Sequence, residues 1–261
     1  MKSPFSTILI VSIIVFGTSV FAQKRVAPRP AKIKAASAVK SGEIGQTAIV
    51  ADETLSVLRV TPSLFSDSIQ RMRRGRKVQI LGVAEADGVK FYKVTAPPAN
   101  YGWVQSDAVF GKFRAADEER LARLVQAVDG FEQIEVSVEF FNLYPESKFK
   151  PSILLLFGDL LEEVAAKLTK DANSKLKRAE MAASGAPLHS YFLNYVSLDR
   201  YRKLGIVFLF NSTTRQFHYD GARWKEIAVK FAASPEAVEA RKRLDALKAK
   251  MEKPTAKGSL Q

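Results

Sequence analysis

The sequence contains no cysteine, only two histidines and a scattered set of glycines. The absence of cysteine excludes disulfides, thiolate metal sites, a cysteine nucleophile and lipid attachment to cysteine. The sequence has no glycine-rich loop of the kind that holds phosphate and no glycine-x-serine-x-glycine nucleophile elbow. The two histidines, His189 and His218, lack the spacing of a metal-binding pair. We therefore expect no enzymatic activity, no metal and no cofactor.

Carboxylates are present, but their spacing does not point to catalysis. Asp159, Glu162 and Glu163 fall within one predicted helix. Side chains four residues apart share one side of a helix, so we interpret Asp159 and Glu163 as its solvated face and not as a carboxylate pair.

Residues 1–22 have the composition of a secretory signal peptide. Lys2 gives a positive start, the run from Phe5 to Phe21 is almost wholly apolar or small, and Val20 and Ala22 occupy the small-residue positions before a cleavage site. An uncleaved membrane anchor is the alternative, because the run is about long enough to span a bilayer. We expect export, to the periplasm or the medium.

The chain is basic, with 40 lysine and arginine residues against 27 acidic residues and a formal net charge of +13. Such a surface favours electrostatic contact with anionic partners such as envelope surfaces, and export argues against nucleic acid. The alternative is a solvated basic surface with no specific partner.

Composition divides the rest of the chain into four predicted segments. Residues 23–46 are rich in Ala, Lys, Pro and Ser and predict a flexible linker. Residues 47–112 carry short β-type runs between turn signals, and residues 114–253 carry mainly helical periodicity. Residues 254–261 predict a disordered tail. The predicted fold class is α+β, with the two middle segments as two domains.

The β-type segment predicts five short strands closed into a small barrel, because so few short strands do not make a stable open sheet. Asp87 and Gly88 predict a hairpin turn between the third and fourth strands. Several motifs occur in order along this segment, and they are Leu55-Ser56-Val57-Leu58-Arg59, Pro62-Ser63, Arg74-Gly75, Phe91-Tyr92-Lys93-Val94 and Gly102-Trp103-Val104. Together they resemble the bacterial SH3-like domain, with one residue added before Pro62, Ser56 in place of asparagine and Phe91 in place of tryptophan.

The resemblance implies a binding module for a cell-wall peptide or a protein segment. Arg59, Tyr92 and Trp103 are its expected exposed cationic and aromatic groups, since aromatic rings supply rigid apolar area and arginine pairs with carboxylates. The alternative is that Tyr92 and Trp103 pack in the core or at the rim of the barrel.

The helical segment contains two similar units and one interruption. In each unit a short link joins two predicted helices, at Tyr144-Pro145-Glu146-Ser147 and again at residues 231–237. Both units resemble tetratricopeptide-type helical pairs, and a non-repeat bundle is the alternative. Alternating apolar residues on either side of Asn211-Ser212-Thr213-Thr214 predict a β-hairpin inserted at about residues 205–220.

These patterns favour an exported, non-enzymatic adaptor of the cell envelope. In this interpretation the SH3-like domain contacts cell-wall peptide or a protein segment, and the helical domain binds a protein partner. One alternative is a regulatory or targeting subunit of a separately encoded wall hydrolase. Another is a hydrolase with an unrecognised site around His189, Tyr191 and His218, which requires a histidine to lie in a cleft with a carboxylate. The oligomeric state is open.

Overall fold

The computed structural model describes residues 42–96 and 100–252. The predicted signal segment, most of the predicted linker and the predicted tail lie outside these residues. The described part is an α+β structure in which a curled antiparallel sheet precedes a helical region. No helix in this part of the chain is long and apolar enough to cross a membrane.

The sheet has seven strands among the described residues, two more than predicted. They are β1 (Thr47–Val50), β2 (Val57–Arg59), β3 (Ser68–Arg71), β4 (Lys77–Ala86), β5 (Val89–Ala96), β6 (Asn100–Gln105) and β7 (Val109–Phe110). Their order is β3-β2-β6-β5-β4-β1-β7, and every pairing is antiparallel. Within the described residues β3 and β7 each pair with one strand, so the sheet curls into a half-barrel without the predicted closure.

The β4–β5 hairpin confirms the predicted turn. Ala86 pairs with Val89, which leaves Asp87 and Gly88 as a two-residue turn with φ of 55° and 72°. Positive φ at both positions is the geometry of the turn type that matches strand twist, and aspartate and glycine tolerate it. A register shift near Gly82 then interrupts the β4–β5 ladder, and such irregularities bend a strand.

The helical region begins after a short 3-10 turn at Ser106–Ala108. Its helices are α1 (Asp117–Ala127), α2 (Gly130–Leu143), α3 (Lys150–Ser174), α4 (Arg178–Ser184), α5 (Leu188–Leu193), α6 (Asp199–Arg202), α7 (Ala222–Lys230) and α8 (Pro235–Met251). Residues 188–202 do not form one continuous helix but are divided into α5, a 3-10 turn at Val196–Leu198 and α6. The break follows Asn194, where the chain turns so that the Tyr195 hydroxyl donates to Asp171 of α3.

The inserted hairpin confirms the prediction for residues 205–220. Its strands are β8 (Phe208–Asn211) and β9 (Gln216–Tyr219), which pair antiparallel. Asn211 stabilises the turn, because its side-chain oxygen accepts from the N–H groups of Thr213 and Thr214. β9 lies on α3, and the Phe217 N–H donates to Thr169 Oγ1 over 2.8 Å.

The sheet and the helices share buried side chains. Ile49, Ala51 and Phe110 of the β segment belong to the same hydrophobic core as the helices. The buried carboxylate of Asp117 accepts from Arg114 and Arg120 and from the Gly111 N–H, all close to the junction of the two regions. The second core, inside the sheet, is formed by side chains of the β segment.

Buried Arg74 adds an ionic link between the sheet and α2. Its side chain is 5% exposed and pairs with Glu132 over 2.5 Å and with Glu135 over 2.9 Å. Its Nε–H donates to the Ala51 carbonyl over 2.7 Å. Arg74 is therefore a structural contact and not part of the exposed basic surface.

Candidate functional site

The outer side of the sheet carries two of the three predicted binding residues. Leu58 and Val104 are fully buried inside the sheet, and side chains alternate between the two sides of a strand. Arg59 on β2 and Trp103 on β6, each next in sequence to one of these, therefore lie on the outer side, where both are half-buried. Tyr101, two residues before Trp103, shares that side and is 62% exposed.

Strand register brings these groups together. Arg59 pairs with Trp103 between β2 and β6, and Lys93 pairs with Trp103 between β5 and β6. The Cβ atoms of opposite residues lie about 4.5–5.5 Å apart in antiparallel sheets. Trp103 therefore lies between two cations from neighbouring strands.

A loop of residues 60–67 borders this row. Arg59 Nη1 donates to the Ser66 carbonyl over 2.8 Å, and Phe65, the preceding residue, is 89% exposed. The far side of the loop is fixed by Asp87, whose Oδ2 accepts from the Ser63 hydroxyl over 2.7 Å. We call Arg59, Lys93, Tyr101, Trp103 and Phe65 the Arg59–Trp103 face.

Among the residues that the structure describes, the two cations of the Arg59–Trp103 face have no anionic partner. Neither Arg59 nor Lys93 forms an ion pair within the described chain. Arg59 Nε is also buried without a hydrogen-bond partner there. A half-buried guanidinium with unused donors, beside rigid aromatic rings, suits a ligand that brings a carboxylate.

Tyr92, the third predicted binding residue, does not lie on this face. Its side chain is buried inside the sheet, contrary to the expected exposure and in line with the packing alternative. Its hydroxyl donates to Glu43 Oε1 over 2.8 Å and accepts from Arg114 Nη1 over 3.3 Å. Burial and the hydrogen bond to Glu43 raise the pKa of Tyr92 above its ordinary value. Tyr92 is therefore part of the core inside the sheet, and its side chain does not reach a ligand on the outer side.

A second candidate site is a cleft of about 570 Å³ between α3, β9 and α8. Its walls carry Asp159, Glu162 and Glu163 from α3 and Arg243 and Lys250 from α8. Its other lining residues are mostly apolar or small, and they are Ala166, Thr169, Gln216, Phe217, His218, Trp224, Ala246 and Leu247. We call it the His218 cleft. The carboxylates that we interpreted as a solvated face therefore line a cavity.

Glu162 organises one end of the His218 cleft. Its Oε1 accepts from His218 Nδ1 over 2.9 Å and from Lys250 Nζ over 2.7 Å, and its Oε2 accepts from the Tyr219 N–H over 2.9 Å. Burial raises the pKa of Glu162, but these three hydrogen bonds outweigh it and hold that pKa below its ordinary value. An ionised carboxylate only accepts, so Nδ1 of His218 carries the proton in this hydrogen bond.

The structure separates the residues of the hydrolase alternative. His218 lies in a cleft with a carboxylate, whereas His189 is exposed on α5 and does not line the cleft. Tyr191 does not line it either, and its hydroxyl donates to the Ala172 carbonyl over 2.9 Å. The hydroxyl among the lining residues, on Thr169, is engaged with the Ala165 carbonyl and the Phe217 N–H. The cleft therefore offers a histidine but no free hydroxyl nucleophile.

Comparison of the chain with protein-family models, with curated proteins and with solved structures gave no match. Within the described ranges, no group of three or more histidine and carboxylate side chains is placed to hold a metal ion.

Proposed function

We propose that this chain is an exported, non-enzymatic binding protein of the cell envelope, and that its Arg59–Trp103 face takes up a segment that carries carboxylates. The observation that carries the proposal is Arg59, which lies directly opposite Trp103 and has no ion pair in the described chain. Tyr101 is exposed on the same side of β6, and Phe65 is exposed in the loop that Arg59 contacts. The ligand is a cell-wall peptide or an acidic protein segment.

The chemistry of this face favours such a ligand over a purely apolar one. Arginine presents a planar fork of donors that matches a carboxylate, and its partial burial lowers the water competition for that contact. Two exposed rings lie nearby, with exposed fractions of 62% and 89% for Tyr101 and Phe65. Aromatic rings add contact area at little cost in conformational entropy.

Two finer assignments belong to this proposal. An SH3-like identity for the sheet is supported by motif positions, because Arg59 ends β2 and Gly102-Trp103-Val104 falls within β6. A tetratricopeptide-like identity for the helical region is supported by the two links, which join α2 to α3 and α7 to α8. The helical region is then the surface for a protein partner, and the basic exterior gives electrostatic contact with anionic envelope surfaces.

Retention on purified cell-wall sacculi and binding to an acidic peptide in solution test the ligand class. Phe65→Ala is the cleanest variant, because a side chain 89% exposed contributes little to stability. Val229→Ala, at a side chain 79% exposed on α7, is the matched control. Arg59→Gln is matched by Arg241→Gln, a change at an exposed arginine of α8.

We expect the Phe65 and Arg59 variants to bind several-fold more weakly and both controls to bind like the parent. Trp103→Ala is added with its melting temperature, so that loss of binding is separated from loss of fold. Equal retention of all variants, or no retention at low salt, contradicts the proposal. Binding to a hydrolase without binding to wall or peptide favours the regulatory-subunit alternative.

The hydrolase alternative keeps one specific observation, which is His218 in a cleft with Glu162. A histidine held by a carboxylate at Nδ1 has the arrangement of a general base that activates water. Release of soluble fragments from sacculi, lost in His218→Gln, would establish this alternative. No release by the parent protein removes it.

A further inference from the structure

The His218 cleft carries one more carboxylate than it carries cations. Asp159 pairs with Arg243 at 2.8 Å, and Glu162 pairs with Lys250 at 2.7 Å. Glu163, on the same side of α3, has no ion pair within the described chain. The chain has a formal charge of +13, yet Glu163 in this cleft has no counter-ion among the described residues.

His218, a residue that lines the same cleft, has a ring nitrogen with no hydrogen-bond partner among the described residues. The residue is 5% exposed, and Nε2 is buried with no hydrogen-bond partner in the part of the chain described. Because Nδ1 carries the proton toward Glu162, Nε2 is an acceptor when the ring holds a single proton. A buried polar atom without a partner destabilises the fold, so a group that donates to Nε2 is favoured here.

The protein already places one ammonium group in this cleft. The Lys250 side chain is 50% exposed, and its Nζ reaches Glu162 from the rim of α8. An aliphatic stem with a terminal ammonium therefore fits the carboxylate side of the cleft. The apolar lining supplied by Phe217, Trp224 and Leu247 suits such a stem.

We propose that the His218 cleft binds a primary ammonium group carried on an apolar stem. Glu163 and Glu162 neutralise its charge, His218 Nε2 accepts one of its N–H groups, and the stem lies along the apolar lining. Lys250 is the internal competitor that the ligand displaces from Glu162. The same chemistry is supplied by a free alkylamine or by a lysine side chain of a peptide.

Calorimetric titration of the full chain tests the ligand chemistry with three probes of one length. We expect n-hexylamine to bind at least tenfold more tightly than 1-hexanol or hexanoate. A second arm compares a blocked peptide with a single lysine against the same peptide with norleucine. Tighter binding of the free amine assigns a small-molecule ligand, and tighter binding of the lysine peptide assigns a partner segment; both support the ammonium site.

Variants with opposite expected effects make the test directional. Glu163 is exposed, and Glu163→Gln is expected to weaken hexylamine binding by about two- to fivefold, the range of an exposed charge pair. Lys250→Met is expected to tighten it, because the competitor is removed while the aliphatic stem is kept. Glu85→Gln, at an exposed carboxylate on β4 without an ion pair in the described chain, is the matched control and is expected to change nothing.

Melting temperatures of all variants show whether each is folded. Weaker hexylamine binding in Lys250→Met would show that Lys250 does not compete with the ligand, and preferred binding of hexanoate would show an anion site. Either result would overturn the proposal. Equal binding of hexylamine and hexanol would show an apolar cavity without charge recognition and would also overturn it.

Discussion

Replacing Gly158 with alanine is expected to destabilise the protein, although alanine is the better helix former. Gly158 lies inside α3, where the indole of Trp224 packs against it. A Cβ at this position would lie 2.3 Å from Nε1 and 2.7 Å from Cε2 of that ring. Trp224 is 2% exposed, so the ring cannot move aside without displacing its neighbours.

The magnitude follows from two opposing contributions. Alanine in place of glycine in a helix interior gains about 1 kcal/mol. Overpacking a buried site costs about 1–3 kcal/mol. The cost of Gly158→Ala is expected near the upper end of this range, because the new methyl group would meet several atoms of the indole ring at once. We expect a net loss of about 2 kcal/mol in the free energy of unfolding. For a described region of this size, that corresponds to a melting temperature lower by about 4–8 °C.

Urea unfolding followed by circular dichroism measures this change, and a second-site variant identifies its cause. Trp224→Leu alone is destabilising because it leaves a cavity. In that background the added methyl group no longer meets the indole, and Gly158→Ala is expected to stabilise by up to about 1 kcal/mol. If Gly158→Ala costs the same in both backgrounds, contact with Trp224 is not the reason that glycine is required.

Three further predictions concern charged side chains and the hydrogen bonds they make. Arg74→Ala is expected to lower the free energy of unfolding by about 2–3 kcal/mol, measured in urea, because it removes charged hydrogen bonds from a buried link; a change below about 0.5 kcal/mol would contradict this. Asp87→Ala is expected to speed hydrogen exchange at the Leu64 N–H, which donates to the Asp87 carboxylate over 2.8 Å, and unchanged exchange would refute that role. Glu162 has a folded-state pKa below its ordinary 4.5, so its contribution to stability is present above pH 4.5 and is lost as the pH falls through the folded-state pKa. The stability difference between the parent and Glu162→Gln is therefore expected to shrink on acidification, and a difference that grows would contradict the assignment.

Most of the sheet could be predicted from local sequence signals. The two strands that could not, β3 and β7, have weak local patterns. The Asp87-Gly88 turn and the apolar strands carry strong patterns, and both are confirmed. β3, with the sequence Ser-Ile-Gln-Arg, is mostly exposed, so its hydrophobic pattern is weak and only the register with β2 makes it a strand. β7 is only two residues long, which is too short to show the alternation of apolar and polar residues that marks a strand.

The pattern of residues along β5 predicts the side of the sheet on which Tyr92 lies. Polar Lys93 and Thr95 alternate with Tyr92, Val94 and Ala96, and an alternation of this kind places the second set inside a half-buried strand. The structure shows that arrangement. The bulk of a tyrosine suggested a binding ring, but the period of the strand decides where its side chain lies.

The His218 cleft could not be predicted in the same way. His218 Nδ1 and Glu162 are 56 residues apart, and Arg243 and Asp159 are 84 residues apart. Periodicity along α3 places carboxylates on one face but does not show which element covers that face. The covering elements are the inserted hairpin and α8, whose docking depends on tertiary contacts such as the Tyr219 N–H on Glu162.

The two candidate sites have opposite charge character within one continuous structure. Within the described part of the chain, the cations of the Arg59–Trp103 face have no anionic partner, whereas one carboxylate of the His218 cleft, Glu163, has no cationic partner. The shared core and the buried Arg74 contacts join the sheet to the helices. A hinge motion of the sheet relative to the helices would therefore have to disrupt an apolar core and two ion pairs. A ligand on the sheet and a ligand in the cleft would then be held at a fixed separation, which is the property that an adaptor needs. Because salt weakens both contacts but Phe65→Ala and Glu163→Gln each affect only one, the two proposals can fail independently.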